Sequence, residues 1–281
     1  MRLSLIATTR QRDPQYLARL FASLASQTCT DFSLILGDQN PPGFLDTVLR
    51  GFEGKFPRMV IPLEPCGLSE ARNRLIPFAE GDFLALTDDD CHYAPDAFFR
   101  LFRASRDLPD AAAITGKGAA RMLTPPGDAS LPPVRLSRYG VFRDTPSWCI
   151  FLRRTDALQT GPFDTHMGLG SGTPWLSGEE TDFLVRMIDS GKKIYHDPGI
   201  RIFHDSPHDS PEEPDIAKVY GYAMGRMYLL EKHRFPLWFK LLNILFPLAC
   251  LFREVPVQGT AALKNRLAMF RGRLSGFFAA R

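Results

Sequence analysis

Three consecutive carboxylates, Asp88, Asp89 and Asp90, are the residues of this 281-residue chain with the clearest capacity for chemistry. They follow the apolar run Phe83–Leu86, which is typical of a buried strand. Like charges this close repel one another by ~1 kcal/mol per pair in water, and by more when partly buried. Aspartate oxygens are good ligands for Mg²⁺ or Mn²⁺, which are often shared with substrate phosphates. The triplet therefore indicates either a metal–diphosphate site or an acidic turn in water.

The segments around the triplet alternate between strand-like and helix-like patterns. The strand-like runs are Leu3–Thr8, Phe32–Leu36, Met59–Ile61 and Phe83–Asp90, and the helix-like patterns begin at Asp13, Phe44 and Leu68. This alternation is typical of a parallel, doubly wound α/β sheet, in which ligands bind beyond the carboxyl ends of the strands. The polar residues expected at those ends are Thr8, Thr9, Arg10, Asp38 and the Asp88–Asp90 triplet.

The second half of the chain is less regular. A stretch rich in glycine, proline and arginine covers 116–146, and loops this long are usually functional or disordered. The later patterns predict strands at Trp148–Leu152, Lys193–Tyr195 and Ile200–Phe203, and a helix that opens at Ser177–Asp182.

Composition excludes several classes of protein. The net charge of +3 is too weak to argue for nucleic-acid binding, so no nucleic-acid partner is expected. The five cysteines are odd in number and form no C-x-x-C pair, which fits neither a disulfide framework nor a zinc site. Met1 leads directly into a strand-like run without a signal-peptide pattern, so we expect a cytoplasmic protein.

Several short motifs occur in an order that resembles the family 2 glycosyltransferases, over about residues 1–210. They are Thr8-Thr9-Arg10, Asp38, Gly67–Asn73, Asp88–Asp90, Gly161–Asp164 and Gly178–Asp182. Each motif alone is weak, but their joint order and spacing are specific. The resemblance implies the α/β GT-A fold, with a mixed, mainly parallel sheet flanked by helices, and glycosyltransferase activity of the hexosyltransferase type.

The resemblance also implies a reaction. A sugar would pass, with inversion, from a UDP- or dTDP-linked donor to a hydroxyl of a glycan or lipid-linked acceptor. Mn²⁺ or Mg²⁺ would act as a Lewis acid on the departing diphosphate. The implied metal ligands are Asp90, Asp88 and His204, since an imidazole beside carboxylates suits Mn²⁺. The alternatives for His204 are a loop histidine or a His204–Asp205 pair.

The same resemblance implies contacts to the nucleotide sugar. They are Thr8, Arg10, Asp38, Arg72, Asp88 and Asp89. Asp38 would accept a hydrogen bond from the base, and Arg72 would meet the diphosphate or position Asp88 with its planar guanidinium. The competing interpretations are that Asp38 only forms a turn and that Arg72 is a solvated helix residue.

Inversion needs a general base, and by position this is Glu180, with Glu179 supporting acceptor binding. The family's usual motif is Glu-Asp, so Glu180 has an arm one methylene longer, and small placement changes matter to rate. Asp182 and Trp175 are the implied acceptor contacts, Trp175 by stacking on a sugar. Alternatively, the acids only complement the helix N-terminus and Trp175 packs in a core.

The composition changes after Pro214. Residues 235–252 are mostly apolar but carry Lys240 and two prolines, and a tail follows in which basic residues oppose apolar ones at helical spacing. This pattern predicts an apolar hairpin and a basic amphipathic tail that bind a membrane surface. The alternatives are a helical cap on the catalytic domain or a homodimer interface.

These interpretations predict a GT-A catalytic domain over 1–212 and a helical extension over 213–281. The catalytic domain would contain a nucleotide-sugar half, 1–115, and an acceptor half, 116–212. With residues 235–281 on the membrane, the protein would lie peripherally on the inner face of the cell membrane and serve polysaccharide biosynthesis. The competing hypothesis is a catalytically silent sugar-nucleotide-binding domain, or a scaffold for a membrane glycan-assembly complex. A sugar-nucleotide-forming enzyme is disfavoured because residues 9–13 lack a glycine-rich loop.

Overall fold

A computed structural model describes residues 1–119, 131–143, 145–204 and 215–280, apart from the side chains of residue 253 and residues 255–258. These residues belong to two units. Unit 1 comprises Met1–Cys66, Ala71–Phe163 and Phe183–Ser206, and unit 2 comprises Gly67–Glu70, Asp164–Asp182 and Pro207–Arg281. The boundary predicted at 212–213 lies outside the described residues, and the predicted halves of 1–212 stay a prediction.

The N-terminal elements alternate as the sequence predicts. They are β1 (Leu3–Thr9), α1 (Pro14–Ala25), β2 (Phe32–Asp38), α2 (Asp46–Gly51), β3 (Arg58–Pro62), α3 (Leu68–Leu75) and β4 (Phe83–Asp88). The later elements are β5 (Cys91–Tyr93), α4 (Ala97–Asp107), β6 (Ala111–Ala119), β7 (Val134–Arg135), β8 (Ile150–Arg153), α5 (Arg154–Thr160), α6 (Glu179–Asp189), β9 (Lys193–His204), α7 (Ile216–Lys232) and α8 (Leu237–Ala279).

The strands of unit 1 form one mixed sheet. Among the described residues the strand order is β3-β2-β1-β4-β8-β6-β9-β5, with β7 paired to β9. The pairings among β1, β2, β3 and β4 are parallel, as is that of β6 with β9, whereas β8, β5 and β7 pair antiparallel. Parallel pairings hold most of the paired residues, and the prediction of a mixed α/β fold is confirmed.

The register of the first strands gathers polar residues at one edge of the sheet. Thr8 lies opposite Gly37 on β2 and opposite Asp88 on β4, and Thr9 lies opposite Asp38. Parallel strands put their carboxyl ends at the same edge, so the polar residues that the sequence scatters over eighty positions become neighbours.

Helix α1 illustrates how the local sequence builds the layer that covers this sheet. Asp13 caps its N-terminus by accepting a hydrogen bond from the Gln15 N–H at 2.9 Å, and Pro14 occupies the first turn. Its buried residues recur at helical spacing: Leu17, Leu20, Phe21 and Leu24. They join the main core, which also contains apolar residues of β1, β2 and β4.

Two strand predictions need correction. Lys193–Tyr195 and Ile200–Phe203 belong to one strand, β9, because the pairing with β6 jumps in register across the Asp197-Pro198-Gly199 segment instead of ending there. Trp148 does not begin a strand: Ser147–Cys149 is a 3₁₀ turn, and β8 starts at Ile150.

Unit 2 is built around the helices α7 and α8. The predicted apolar hairpin does not turn within 235–252, because these residues are helical from Leu237 onwards. The chain reverses instead at Gly259, where φ is +63°, so that Arg266 of the second half of α8 pairs with Glu254 of the first half. Gly272 and Gly276 let α8 approach α7 closely: a Cβ at Gly272 would meet the Tyr220 carbonyl, and one at Gly276 would lie 2.9 Å from the Met224 carbonyl. In the described part of the chain, no helix combines the length and apolar character needed to cross a membrane.

Candidate active site

The acidic triplet contributes to a cluster of metal-type donors in unit 1. One donor atom from each of Asp88, Asp90, Cys91 and His204 lies within 4.8 Å of the others, and this is the cluster found among the described residues. Donors around one ion at ~2.2 Å lie up to ~4.4 Å apart, so the cluster has a suitable size. The three predicted metal ligands are therefore brought together, and their chemistry fits a divalent cation.

Strand pairing explains why His204 is here. Cys91 on β5 lies directly opposite His204 on β9, in an antiparallel pairing that follows the triplet immediately. Directly opposite residues point to the same face of a sheet, so the imidazole is carried to the carboxylates from more than 110 positions away. The alternative partner, Asp205, lies outside the described residues.

Both oxygens of the Asp90 carboxylate have charged or ionisable partners. Its Oδ1 lies 3.1 Å from His204 Nε2, and its Oδ2 forms an ion pair with the Arg12 guanidinium. Burial acts to raise the pKa of Asp90, but the hydrogen bond and charge of His204, together with Arg12, hold that pKa below its ordinary value. Asp90 is therefore ionised at neutral pH, the state a cation requires.

Asp89 has a different environment from its neighbour. Its side chain is buried and hydrogen-bonds Thr9, and its Oδ1 lies 3.7 Å from Arg12 Nη1. Burial raises the pKa of Asp89 to about 6, against the opposing effects of Thr9 and Arg12. Asp89 thus ties the ends of β1 and β4 together, and its predicted nucleotide contact stays a prediction.

Asp88 is held by a buried arginine. Arg72 Nη2 donates to Asp88 Oδ1 at 3.4 Å, and the Arg72 guanidinium lies over the Phe163 ring at 5.8 Å. Ser147 Oγ donates to Asp88 Oδ2 at 3.2 Å. Arg72 is only 1% exposed, so it is not a solvated helix residue. Arg72 is predicted either to meet the diphosphate or to position Asp88, and its contact with Asp88 Oδ1 supports the second role.

His204 packs against the aromatic ring of Trp148. The Trp148 indole stacks on the His204 ring with centroids 5.3 Å apart and an interplanar angle of 27°. Trp148 in turn packs against Gly118 of β6, where any side chain would collide with the indole. This sequence of contacts restricts the imidazole's orientation.

The remaining predicted nucleotide contacts occupy the same edge of the sheet. Thr8 is the second-last residue of β1 and lies between β2 and β4, and Arg10 directly follows the strand in an exposed position. Asp38 Oδ1 accepts hydrogen bonds from the Asn40 backbone N–H at 2.9 Å and from Asn40 Nδ2 at 2.8 Å. Asp38 therefore does form a turn, and its contact with a base stays a prediction, as do those of Thr8 and Arg10.

Unit 2 contains the acidic pair predicted to serve as base. Glu179 and Glu180 begin α6, where the helix dipole favours negative charge, and both are buried. Gly178 precedes them with φ of +100°. Gly168, with φ of +96°, lies so close that a Cβ there would be 3.0 Å from the Glu179 carboxyl carbon. The glycines thus allow the backbone to turn around a carboxylate that larger residues would displace.

Asp182 is locked into a salt-bridge network within unit 2. Its side chain is 0% exposed, and its Oδ1 lies 2.8 Å from His233 Nε2 and 2.6 Å from Lys232 Nζ. Lys232 also pairs with Asp164 at 2.6 Å. These contacts give Asp182 a structural task at the end of α7, and its predicted acceptor contact stays a prediction.

Trp175, the other predicted acceptor contact, stacks on Tyr228. Their ring centroids are 4.8 Å apart with an interplanar angle of 16°. The Trp175 carbonyl accepts from the Gly168 N–H at 2.9 Å, which closes the intervening loop. The indole is partly exposed. Contact with a sugar therefore stays a prediction for this residue.

Sequence reasoning missed four residues in and around the donor cluster. They are Arg12, Cys91, Ser147 and Trp148. The position of Cys91 directly after the triplet was an available signal. For the others the sequence offers none, because their relation to the triplet depends on loop conformation and sheet order.

Comparison with known proteins identifies the class of this molecule. The model for glycosyl transferase family 2 matches residues 4–147, just over half of the chain. The chain belongs to glycosyltransferase family 2, and it is a glycosyltransferase. The resemblance recognised in the sequence motifs is thereby confirmed.

Solved structures resemble this chain at low identity, which supports the fold alone. TarS of S. aureus, residues 1–349 in complex with UDP-GlcNAc, has 15% identity and a TM-score of 0.56, with 99% of this chain and 91% of that chain covered. In a longer TarS structure, with 15% identity and a TM-score of 0.60, the match covers 98% of this chain and 55% of that chain. The mannosyltransferase PcManGT from Pyrobaculum calidifontis, in complex with GDP-Man and Mn²⁺, has 14% identity, a TM-score of 0.58, and coverage of 99% and 74%.

Proposed function

We propose that this chain transfers a sugar, with inversion, from a nucleoside diphosphate sugar to a hydroxyl of a glycan or lipid-linked acceptor. One observation carries the proposal: the donor cluster of Asp88, Asp90 and His204 lies at the carboxyl edge of the sheet of a family 2 glycosyltransferase. Such an edge is where ligands of open α/β sheets bind.

The donor proposal rests on the neighbours and on the sheet edge. Structures of similar fold carry UDP-GlcNAc or GDP-Man. We propose a UDP- or dTDP-linked donor here, with Thr8, Arg10 and Asp38 along its nucleotide. GDP-mannose is the comparison donor that tests the choice of base.

Asp88, Asp90 and His204 would hold the divalent cation, Mn²⁺ or Mg²⁺, with the Cys91 thiol beside them. When bound, the cation supplies Lewis-acid stabilisation of charge on the departing diphosphate. Arg72 orients Asp88 through its guanidinium, and Trp148 keeps the imidazole of His204 in one orientation. These residues thus bind and orient, and the proton transfer belongs to another group.

The proposed base is Glu180, which would take the proton of the acceptor hydroxyl, with Glu179 beside it. Its support is its place in the family's acidic motif and its position at the first turn of α6. A buried carboxylate at a helix N-terminus is held in a defined position, which proton transfer needs.

The test is release of nucleoside diphosphate from a donor panel by the full chain, with Mn²⁺ or Mg²⁺ present. The panel contains UDP-GlcNAc, UDP-glucose, a dTDP-sugar and GDP-mannose, with glycan acceptors. Asp90→Asn should lose Mn²⁺ binding and turnover, because it removes the ligand charge. Glu180→Gln should lower turnover ~10²–10⁴-fold while retaining donor binding, because it removes the base alone. Asp107→Asn, an exposed substitution of the same kind on α4, should behave as wild type.

Turnover at the wild-type rate in Glu180→Gln would contradict the proposal, as would full Mn²⁺ affinity in Asp90→Asn. A wild-type chain that binds a donor but releases no diphosphate with any acceptor would favour the alternative, a catalytically silent sugar-nucleotide-binding domain.

We further propose that α8 attaches the enzyme peripherally to a membrane, where a lipid-linked acceptor would be presented. The first part of α8 exposes a row of large apolar side chains: Leu237, Trp238, Leu241, Leu242, Leu245, Phe246 and Phe252, the last 87% exposed. An exposed apolar surface of this size marks an interaction site. The cytoplasmic location of the protein stays a prediction.

Three polar residues of the same helix are buried, which is unusual for a helix on the surface of a soluble protein. Lys240 is buried and pairs with Glu231 of α7 at 2.7 Å, and Asn243 is buried behind it. Arg273, on the second half of α8 that folds back at Gly259, donates to the Asn243 carbonyl of the first half. Lys264 and Arg271 remain exposed, so the outer surface is apolar and basic, which suits an anionic bilayer.

Liposome co-sedimentation of the full chain tests this attachment. Leu242→Ser with Phe246→Ser should reduce binding to vesicles containing phosphatidylglycerol, since it removes two exposed apolar groups. Leu158→Ser, an exposed apolar residue of α5, should bind as wild type. Wild-type binding by the double variant would refute the proposal, and its conversion from dimer to monomer in light scattering would assign the surface to a second copy instead.

A further inference from the structure

Arg12 enters the cation cluster from a loop that no motif marks. The loop joins β1 to α1, and the Arg12 guanidinium forms an ion pair with Asp90 Oδ2 and lies 3.7 Å from Asp89 Oδ1. The carboxylates of Asp90 and Asp89 are 3% and 10% exposed, whereas the Arg12 side chain is 43% exposed. A partly exposed guanidinium thus covers two buried carboxylates.

The loop holds Arg12 in this place by defined contacts. Gln11 adopts a left-handed conformation with φ of +49°, and its N–H donates to Asn40 Oδ1. Asp13 begins α1 as its cap. The Arg12 guanidinium lies over the Tyr16 ring at 4.6 Å, a cation–π contact one turn along that helix. These contacts hold the backbone on both sides of Arg12 in place, while its side chain remains partly exposed to solvent.

Arg12 occupies an oxygen that a cation would need. Asp90 Oδ2 is taken by Arg12, and Asp90 Oδ1 faces His204 at 3.1 Å. A divalent ion on Asp90, Asp88 and His204 would stand beside the guanidinium, and the two positive charges would repel each other. Cation binding and the Arg12–Asp90 pair therefore oppose each other.

We propose that Arg12 is an internal counter-ion of the cation site, which holds Asp90 when the site is empty and yields it when a divalent cation binds. This inference rests on the proposed function, because it takes the cluster to be the cation site. The incoming nucleoside diphosphate offers the displaced guanidinium an anion, and the planar fork of arginine matches phosphate oxygens. Diphosphate and cation would then bind cooperatively, because each favours the state in which Arg12 has left Asp90.

The test is Mn²⁺ binding measured by electron paramagnetic resonance, on the full chain, with and without UDP. Arg12→Gln should bind Mn²⁺ alone at least ~5-fold more tightly than wild type, because no guanidinium competes. UDP should tighten Mn²⁺ binding in wild type by a larger factor than in Arg12→Gln. Arg12→Lys, which keeps the charge, should stay near wild type.

Arg19 provides the matched control. Its guanidinium lies over the same Tyr16 ring at 4.7 Å, so Arg19→Gln removes the same charge from the same aromatic side chain. Arg19→Gln should bind Mn²⁺ as wild type does. If Arg19→Gln tightened Mn²⁺ binding as much as Arg12→Gln, the loss of any nearby positive charge would explain the effect, and the inference would be wrong.

The experiment separates failure of this inference from failure of the proposed function. Wild-type Mn²⁺ affinity and wild-type UDP coupling in Arg12→Gln, with Mn²⁺ binding lost in Asp90→Asn, would overturn the role of Arg12 alone. Unchanged Mn²⁺ binding in Asp90→Asn would overturn the cation site itself and the inference with it.

Discussion

The buried carboxylate of Asp182 allows a prediction that separates a structural role from acceptor binding. In Asp182→Asn the side chain keeps its shape but loses the charge that faces Lys232 and His233 at 2.6 and 2.8 Å. Removing one partner of a buried ion pair typically costs ~3–5 kcal/mol. The Lys232 side chain is 29% exposed and keeps Asp164, so we expect about 2–3 kcal/mol, below the usual range.

Thermal unfolding followed by circular dichroism measures this cost. A loss of about 2–3 kcal/mol lowers Tm by about 3–5 °C in a chain of 281 residues, because the entropy of unfolding is about 2.1 cal/mol/K per residue. Asp164→Asn is the matched control, because it removes the other carboxylate from Lys232 and leaves Asp182 in place. Its partners are more exposed, so we expect a loss of no more than about 1 kcal/mol.

The reasoning would be refuted if Asp182→Asn melted within about 1 °C of wild type while its KM for the acceptor rose. That result would remove the structural role and return Asp182 to the acceptor contact that the sequence motif implies.

Three further changes test the packing and the electrostatics. Gly118→Ala should cost about 1–3 kcal/mol in urea unfolding and alter tryptophan fluorescence, since its Cβ would collide with Trp148; an unchanged emission spectrum would contradict that contact. Gly272→Ala should cost a similar ~1–3 kcal/mol, because its Cβ would meet a backbone carbonyl of α7, and a stability equal to wild type would show that the helices are further apart. Burial acts to raise the pKa of Asp164, but Lys232 and the neighbouring hydrogen bonds hold it below its ordinary 3.8. Because the pKa of Asp164 is lower in the folded state than in the unfolded state, its ionised form stabilises the fold at pH values above the unfolded pKa, and this contribution is lost as the pH falls through the folded pKa. The difference in unfolding free energy between wild type and Asp164→Asn should therefore shrink below pH 4. A difference that stays constant with pH would argue against the ion pair.

The sheet edge could be predicted because its information is local. Each parallel strand is predicted by a short apolar run in the sequence, and strands β2 and β4 end in the polar residues Asp38 and Asp88. Parallel strands share an edge whatever their order, so the cluster followed without knowledge of the topology. The prediction that His204 binds the metal came from family resemblance, and the antiparallel pairing of β5 with β9 explains how its side chain reaches the carboxylates.

Other features depend on long-range contacts and left no local signal. The pattern around Asp197-Pro198-Gly199 resembles a turn, yet pairing to β6 on both sides retains it within one strand. The acids that open α6 look alike in sequence, and only the position of α7 shows that Asp182 is enclosed by Lys232 and His233. Arg12 reads as a solvated loop residue until the folded loop brings it to Asp90.

The central claim is that a divalent cation binds where Asp88, Asp90 and His204 converge. The most direct test is anomalous diffraction from a crystal of the full chain grown with Mn²⁺ and UDP. The account predicts one anomalous peak at ~2.2 Å from an Asp90 oxygen and from His204 Nε2. A manganese peak elsewhere, with the Asp90–Arg12 pair intact and UDP bound, would contradict it.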